Sequence, residues 1–288
     1  MSEKNIRGTL IPIGGNEDKG DEENDFNKLD FIEEGILAHV VKECGGKNAH
    51  IAVITAASGI PLKVGESYIQ AFETLGCSNI SLVHIASRKD TDSEMNLRLM
   101  AEVDGVMFSG GDQSKITAKI AGTRFHQMIA ERYQNEEFVV AGTSAGAMAM
   151  SEEMIAGGSS RESFIKGAVI MDKGLNLISD LMIDTHFIRR GRFGRLAESV
   201  AKYPDRVGIG LAEDTGLIIK EGQEFLVIGS GMIIVFDGRN LTHNKEKMLK
   251  QGTPMTMTNL IVHVLSNGDC YHVSNGKVDV LPVASPFI

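Results

Sequence analysis

Short apolar segments rich in β-branched residues alternate with amphipathic segments through the first half of the chain, and this alternation constrains the fold most. The predicted strands are Thr9–Ile13, Ile51–Thr55, Ile80–Ile85, Val103–Phe108 and Phe138–Ala141. The predicted helices lie near residues 28–44, 63–76, 94–101, 113–134 and 145–154. Strands that alternate with helices typically form a parallel sheet with helices on both faces. The sequence therefore predicts an α/β fold with a mostly parallel sheet.

The pattern changes after about residue 205, where short strands follow one another across glycine-containing turns. The predicted strands there are Val207–Leu211, Thr215–Lys220, Phe225–Ile228 and Met232–Phe236, with later ones near residues 260–265, 270–273 and 277–281. We interpret them as C-terminal hairpin strands added to the sheet. The chain has only six prolines and no Pro-rich linker, so we expect residues 1–288 to form a single α/β domain.

Composition excludes several classes of function. The net charge of −9 argues against a nucleic-acid partner, because such proteins need a basic face. No apolar run reaches about 18 residues, and the N-terminus lacks the apolar core of a secretory signal, so we expect a cytoplasmic protein with no membrane partner. The three cysteines are widely spaced, which argues against a disulfide framework or a zinc site.

The strongest local motif is Gly142-Thr-Ser144-Ala-Gly146, which follows a predicted buried strand and precedes a helical segment. This is the context of a nucleophile elbow, in which a sharp strand-to-helix turn holds a serine hydroxyl above the edge of the sheet. We therefore predict Ser144 as a nucleophile. The alternative is that Thr143 or Ser144 only caps the helix in a glycine-rich turn.

A serine nucleophile needs a base, and the base needs a carboxylate to orient it. Of the eight histidines, His186 stands out because it follows a short apolar strand and precedes a basic segment. Glu213 is our candidate for the carboxylate because it follows the strand that ends at Leu211. Asp214 and Asp184 remain competitors, and Glu213-Asp214 could instead form an exposed turn.

Two further segments complete the predicted site. The N–H groups of the pair Gly110-Gly111 could join that of Ala145 in an oxyanion hole. The alternative is a plain turn in which Asp112 caps the next helix. Four arginines follow His186, namely Arg189, Arg190, Arg192 and Arg195. They are expected to bind substrate carboxylates, although some of them must be solvated or paired within the protein.

Seven segments together resemble the cyanophycinase family, a group of serine peptidases that includes aspartyl dipeptidase and has a class I glutamine amidotransferase-like, flavodoxin-like fold. They are residues 13–19, 64–68, 109–113, 141–147, 154–160, 184–187 with the arginines that follow, and 213–215. The similarity runs from about Gly8 to Val273. The motifs occur in the order serine, histidine, glutamate, which differs from that of α/β-hydrolases.

The resemblance implies that Ser144 is the nucleophile, His186 its base and Glu213 the carboxylate. It further implies that Gly111 and Ala145 supply oxyanion N–H groups. The substrate-binding residues implied by it are Gln113, Asp184, Thr185, Arg190, Arg192 and Arg195; Arg189 has no counterpart in the family. No cofactor or metal is implied, and a homodimer is expected.

The substrate implied by the resemblance is cyanophycin, a poly-aspartate with arginine joined to each β-carboxyl group, from which the family releases β-Asp-Arg dipeptides. Arginines would hold the substrate carboxylates, and Asp184 would receive a substrate arginine. Thr185 replaces a glutamine of the family, so a dipeptidase for aspartyl or isoaspartyl peptides is the alternative. A non-catalytic binding protein is a third hypothesis. The acidic segment from Glu17 to Asp25 is expected to be a solvated loop.

Overall fold

The computed structural model describes residues 6–20, 29–158 and 164–288. Part of the acidic segment, the start of the predicted helix near 28–44 and the end of the 154–160 motif lie outside these residues. The strands are β1 (Thr9–Ile13), β2 (Ile51–Ile54), β3 (Ile80–Val83), β4 (Gly105–Phe108), β5 (Val139–Thr143), β6 (Glu153–Gly158), β7 (Val169–Lys173), β8 (Leu181–Asp184), β9 (Val207–Leu211), β10 (Thr215–Lys220), β11 (Glu224–Gly229), β12 (Met232–Asp237), β13 (Ile261–Ser266), β14 (Cys270–His272) and β15 (Lys277–Asp279). The helices are α1 (Ile36–Glu43), α2 (Pro61–Thr74), α3 (Arg88–Thr91), α4 (Glu94–Glu102), α5 (Gln113–Ile120), α6 (Arg124–Asn135), α7 (Ala145–Met148) and α8 (Phe193–Lys202).

The largest sheet has nine strands in the order β15-β14-β11-β10-β1-β5-β4-β2-β3. Its five strands from β1 to β3 are parallel to one another. The four C-terminal strands extend it in antiparallel pairs from β10, which lies beside β1. The predicted α/β class with added C-terminal strands is therefore confirmed.

Both faces of this sheet are buried. Successive residues of a strand point to opposite sides, so its strands contribute to both core clusters. On β2, Ala52 and Ile54 belong to one core cluster with Ile116 of α5 and Phe125 of α6. The intervening residues of β2 belong to a second cluster with apolar residues of α1 and α2. This double cover explains why the strands of the first half are continuously apolar rather than alternating.

A second sheet of four strands, in the order β13-β12-β9-β8, corrects part of the prediction. We expected β9 and β12 to join the first sheet, yet they pair with each other and with β8 and β13. Two glycines on β9 account for its place beside α8. A Cβ atom at Gly208 would lie 2.7 Å from Val200 Cγ2 of that helix, and one at Gly210 would lie 2.5 Å from the ring of Phe187.

Three predicted helices differ in length from those observed, and the one predicted near 28–44 begins only at Ile36. The segment near 113–134 forms two helices, because Gly122 has a φ of +72° and Thr123 accepts a hydrogen bond from the N–H of His126 to begin α6. The segment near 145–154 keeps only the short helix α7 and enters β6, which pairs with β7 in a separate hairpin. No helix within the described ranges is both long and apolar enough to cross a membrane.

Candidate active site

Ser144 lies at a strained turn between the end of β5 and α7. Its φ of 50° and ψ of −108° are unusual for a residue with a side chain. Its N–H donates a 2.9 Å hydrogen bond to the carbonyl oxygen of Ile13. The flanking glycines make the turn possible, because a Cβ atom at Gly142 would lie 2.8 Å from the backbone of Gly146, and one at Gly146 would lie 2.6 Å from the carbonyl oxygen of Phe108.

Ser144, His186 and Glu213 form a continuous line of hydrogen bonds. The Ser144 Oγ atom lies 3.0 Å from Nε2 of His186, and Nδ1 of the same ring lies 2.8 Å from Oε1 of Glu213. The carboxylate accepts a hydrogen bond from Nδ1–H, which leaves Nε2 free to accept a hydrogen bond from the serine hydroxyl. The geometry is that of a nucleophile, its general base and an orienting carboxylate.

The loop after β1 joins the three segments that carry these side chains. The carbonyl oxygens of three successive residues, Ile13, Gly14 and Gly15, accept hydrogen bonds from the N–H groups of Ser144, His186 and Asp214, each at 2.9 Å. One short stretch of backbone therefore fixes the spacing of the nucleophile, the base and the carboxylate segment.

Gly15 also packs directly against the imidazole ring. It has a φ of +104°, and a Cβ atom there would lie 2.5 Å from Nε2 of His186. His186 itself has a φ of 49°, and Asp214 has a φ of 46°. With Ser144 and with Asn16, which has a φ of 51° and is hydrogen-bonded to Glu213, four of the described non-glycine residues with positive φ meet at this site, a concentration of backbone strain that is typical of functional sites.

The environment lowers the pKa of both the imidazole and the carboxyl group. Burial lowers the pKa of His186 below 6.5, and Arg190 and Arg192 also lower it, while Glu213 opposes them. Partial burial would raise the pKa of Glu213, but its hydrogen bonds with His186 and Arg189 outweigh burial, so the pKa of this carboxyl is lowered. A neutral His186 is the form that can act as a general base.

Gly110, one of the two glycines predicted to contribute to an oxyanion hole, lies beside Ser144. A Cβ atom at Gly110 would lie 3.5 Å from that of Ser144, and Gly111 has a φ of +143° that brings its backbone against Ala57. Ala145 follows the nucleophile at the start of α7 and is buried. The backbone N–H groups of Gly111 and Ala145 donate no turn, loop or cap hydrogen bond to any described backbone carbonyl.

Asp184 is fully buried and forms ion pairs with two arginines of the protein. Its Oδ1 atom accepts hydrogen bonds from Arg192 at 2.9 Å and from Arg195 at 2.5 Å, and its Oδ2 atom accepts a second one from Arg195 at 2.7 Å. Its side chain has no exposed surface. The two arginines therefore join the end of β8 to the start of α8, and in this structure the Asp184 oxygens are not available to a substrate arginine.

The other predicted substrate-binding residues differ in their access to solvent. The Thr185 side chain is buried and its hydroxyl points to the sulfur of Met148. The Gln113 amide donates to the carbonyl oxygens of Ile155 and Ala156 in β6. Arg190 is exposed, and no described residue accepts a hydrogen bond from its guanidinium.

Sequence reasoning missed the contacts that two charged residues make at this site. Glu17 was expected to be solvated, but it is 4% exposed and accepts hydrogen bonds from Thr143 at 2.6 Å and from Tyr68. Arg189 donates to both oxygens of Glu213, at 3.1 and 3.3 Å. The signal that could have found Glu17 is its place two residues after Gly15, at the carboxyl edge of the sheet.

Among the described residues, no group of three histidine, cysteine, aspartate or glutamate side chains could hold a metal ion. The site consists of the hydrogen-bonded side chains of Ser144, His186 and Glu213.

Comparison with known proteins shows the family of this chain. The sequence model of the group described as peptidase family S51 matches residues 27–227. The chain belongs to peptidase family S51. Relatives named cyanophycinase include one from Trichormus variabilis, which is 35% identical over 92% of this chain and 85% of its own length. Another, from Geminocystis herdmanii, is 31% identical over 93% of this chain and 94% of its own length.

The fold of this S51 member is also found in a crystal structure of a peptidase from an acI-B1 Actinobacterium. The TM-score is 0.59 at 21% identity, and the match covers 91% of this chain and 99% of that one. The chain is thus a peptidase of the serine type, with the α/β architecture of its family.

Proposed function

We propose that this S51 peptidase is a cyanophycinase-like exopeptidase that hydrolyses the poly-aspartate backbone of cyanophycin to β-Asp-Arg dipeptides. The observation that carries the proposal is the line of hydrogen bonds from Ser144 through His186 to Glu213 in a chain 30–35% identical to proteins named cyanophycinase. We infer the substrate from the resemblance and the type of reaction from the geometry of the site.

The proposed reaction proceeds through an acyl-enzyme. The Ser144 Oγ atom attacks the carbonyl carbon of the scissile amide while its proton passes to Nε2 of His186. The N–H groups of Gly111 and Ala145 stabilise the negative oxygen of the tetrahedral intermediate. His186 then gives its proton to the leaving amine, and the C–N bond breaks. Water attacks the resulting ester by the same route, which releases the acid and restores the serine.

The arginine segment supports binding of an acidic substrate. Arg190 is exposed and extends from the segment that begins at His186, so its guanidinium can take a substrate carboxylate in a bidentate pair. Arg192 and Arg195 hold Asp184, and we propose that they shape the pocket through that buried ion pair. The Gln113 side chain is hydrogen-bonded to β6, and we propose that it also lines the substrate pocket.

Thr185 favours a second candidate, a dipeptidase for aspartyl or isoaspartyl peptides. Its side chain is short and buried, so it adds no polar contact for an extended polymer where the family has a glutamine. Comparing kcat/KM for β-Asp-Arg dipeptide units in the polymer with that for α- and β-aspartyl dipeptides separates the two candidates.

The decisive experiment incubates the purified protein and its Ser144→Ala variant with insoluble cyanophycin and follows soluble dipeptide by mass spectrometry. We expect β-Asp-Arg from the native protein and none from the variant. Dipeptide release by both proteins would contradict Ser144 as the nucleophile, and release by neither would contradict the cyanophycin assignment. The variant should keep its fold, because alanine removes only the hydroxyl.

We further propose, on the resemblance, that the protein is a cytoplasmic homodimer. Light scattering on the purified chain tests the dimer, and a molar mass near that of one chain, 31.2 kDa, would contradict it. Cell fractionation tests the location.

A further inference from the structure

A surface arginine binds the carboxylate end of the hydrogen-bonded line. Arg189 donates to Oε2 of Glu213 at 3.1 Å and to Oε1 at 3.3 Å, while the same Oε1 accepts from His186 at 2.8 Å. The Arg189 side chain is 70% exposed, and that of Glu213 is 25% exposed. The guanidinium therefore belongs to a solvent-exposed side chain, whereas the imidazole that shares Oε1 with it is buried.

We propose that Arg189 is a positioning residue that holds the Glu213 carboxylate in line with His186 and offsets part of its negative charge. This inference rests on the proposed role of Glu213 as the orienting carboxylate. The resemblance to the cyanophycinase family assigns no role to Arg189.

The physical consequence concerns the protonation of His186. A carboxylate beside an imidazole stabilises its charged form, and a cation shared by that carboxylate weakens the stabilisation. The guanidinium also repels the imidazolium directly. Both effects keep His186 neutral, and therefore able to accept the serine proton, at lower pH than Glu213 alone would allow.

Other charged and polar groups also act on the pair, and the Asp214 carboxyl next to Glu213 is held by Ser230. Arg190 and Arg192, from the segment that carries Arg189, lower the pKa of His186, after burial as the largest cause. From the loop after β1, Gly15 brings uncharged backbone against the ring, and the Asn16 side chain gives Glu213 a neutral hydrogen bond. Replacing Arg189 thus removes one cation from a site that keeps its other partners.

The test is a titration of His186 by NMR in the absence of substrate, in the native protein and in the Arg189→Met and Arg189→Lys variants. We expect methionine to raise the pKa of His186 by about half a unit, the size expected for one charge at a few ångströms in a solvated site. Lysine keeps the charge and should restore at least half of the difference. An unchanged or lower pKa in Arg189→Met would overturn the proposal, as would a lysine variant that matches methionine.

A double variant separates action through Glu213 from direct repulsion. In a Glu213→Gln background, Arg189→Met should shift the pKa by less than half as much as in the native background, and an equal shift would overturn the positioning role. Arg98→Met, at a side chain that is 79% exposed on α4, is the control and should leave the His186 pKa unchanged. The titration needs no turnover, so a failure to hydrolyse cyanophycin would leave this result intact.

Discussion

Thr143 donates a 2.6 Å hydrogen bond from its hydroxyl to Oε2 of Glu17, which ties the residue before Ser144 to a buried carboxylate. The other oxygen of Glu17 accepts a hydrogen bond from Tyr68 of α2 and lies 3.1 Å from the Lys19 ammonium. The Glu17 side chain thus connects the loop after β1 with α2 and with the turn that holds the nucleophile.

Glu17→Gln should destabilise the protein in a pH-dependent way. Burial alone would raise the pKa of Glu17, but Lys19 and the hydrogen bonds from Thr143 and Tyr68 outweigh it, so the folded-state pKa is lowered. The ionised carboxylate therefore stabilises the fold above its ordinary pKa of 4.5, and this contribution is lost as pH falls through the folded-state pKa. We expect the variant to lose about 1–3 kcal/mol of unfolding free energy at pH 7.

Urea denaturation of both proteins at pH 7 and below pH 4 measures the effect. The difference between them should shrink at the lower pH, and a difference independent of pH would contradict the assignment. Glu94→Gln, at an exposed side chain on α4, is the matched control and should change the unfolding free energy little at either pH.

Gly15→Ala should abolish most of the peptidase activity. The added methyl group would overlap the His186 ring, and the backbone would retain a φ of +104° that disfavours alanine. The matched control is Gly45→Ala, which has the same kind of strain, with a φ of +106°, but no atom within 4 Å of the new methyl group. Equal activity losses in the two variants would show that backbone strain, rather than the overlap with the ring, is responsible.

Asp184→Asn should unfold the protein more readily, not merely weaken substrate binding. The change leaves Arg192 and Arg195 without the buried carboxylate that they share, and breaking a buried ion pair in this way costs about 3–5 kcal/mol. Thermal denaturation measures the loss. Asp205→Asn, at an exposed side chain 3.9 Å from Arg206, should have almost no effect. A native-like melting temperature with a raised KM would instead favour direct contact with substrate.

The pH dependence of kcat/KM should follow the protonation of His186. Burial lowers the pKa of the ring, so the neutral base persists below pH 6.5. We therefore expect an acid limb whose midpoint lies below 6.5, measured with a soluble aspartyl peptide. A midpoint above that value would mean that Glu213 outweighs burial and the neighbouring arginines.

The prediction of one domain over residues 1–288 leads to a single unfolding event. Strands β10 and β11, from the last third of the chain, belong to the same nine-stranded sheet as β1, and β10 pairs with β1. The N- and C-terminal halves therefore share one core. Calorimetry should give one transition whose calorimetric and van't Hoff enthalpies agree. Two separate transitions would contradict a single domain.

Local pattern was enough to predict the parallel strands and the turn at Ser144, because a buried strand followed by Gly-x-Ser-x-Gly has few alternative structures. The hairpin of β6 and β7 was not predictable in the same way. Its first strand contains Ala156 and Gly157, which carry no strand periodicity, and its partner lies beyond residue 168. Pairing with β7, rather than the intrinsic strand propensity of its own residues, therefore accounts for β6.

The burial of charge was equally beyond the reach of sequence pattern. An acidic segment normally faces water, and nothing near Glu17 in the sequence indicates that Tyr68 and Thr143 will surround it. Asp184 is similar, because the sequence places arginines after it without showing that they turn back onto its carboxylate. In both cases the deciding contacts depend on tertiary structure.

The proposed nucleophile and its proposed base belong to different sheets. Ser144 follows β5 of the nine-stranded sheet, His186 follows β8 of the four-stranded sheet, and Glu213 lies on the link from β9 to β10 that joins them. With the roles proposed above, a chain in which each sheet has formed alone would hold all three side chains of the proposed triad and still be inactive. Hydrolysis could begin only after the two sheets have docked, so we expect a newly made or partly opened molecule to lack peptidase activity.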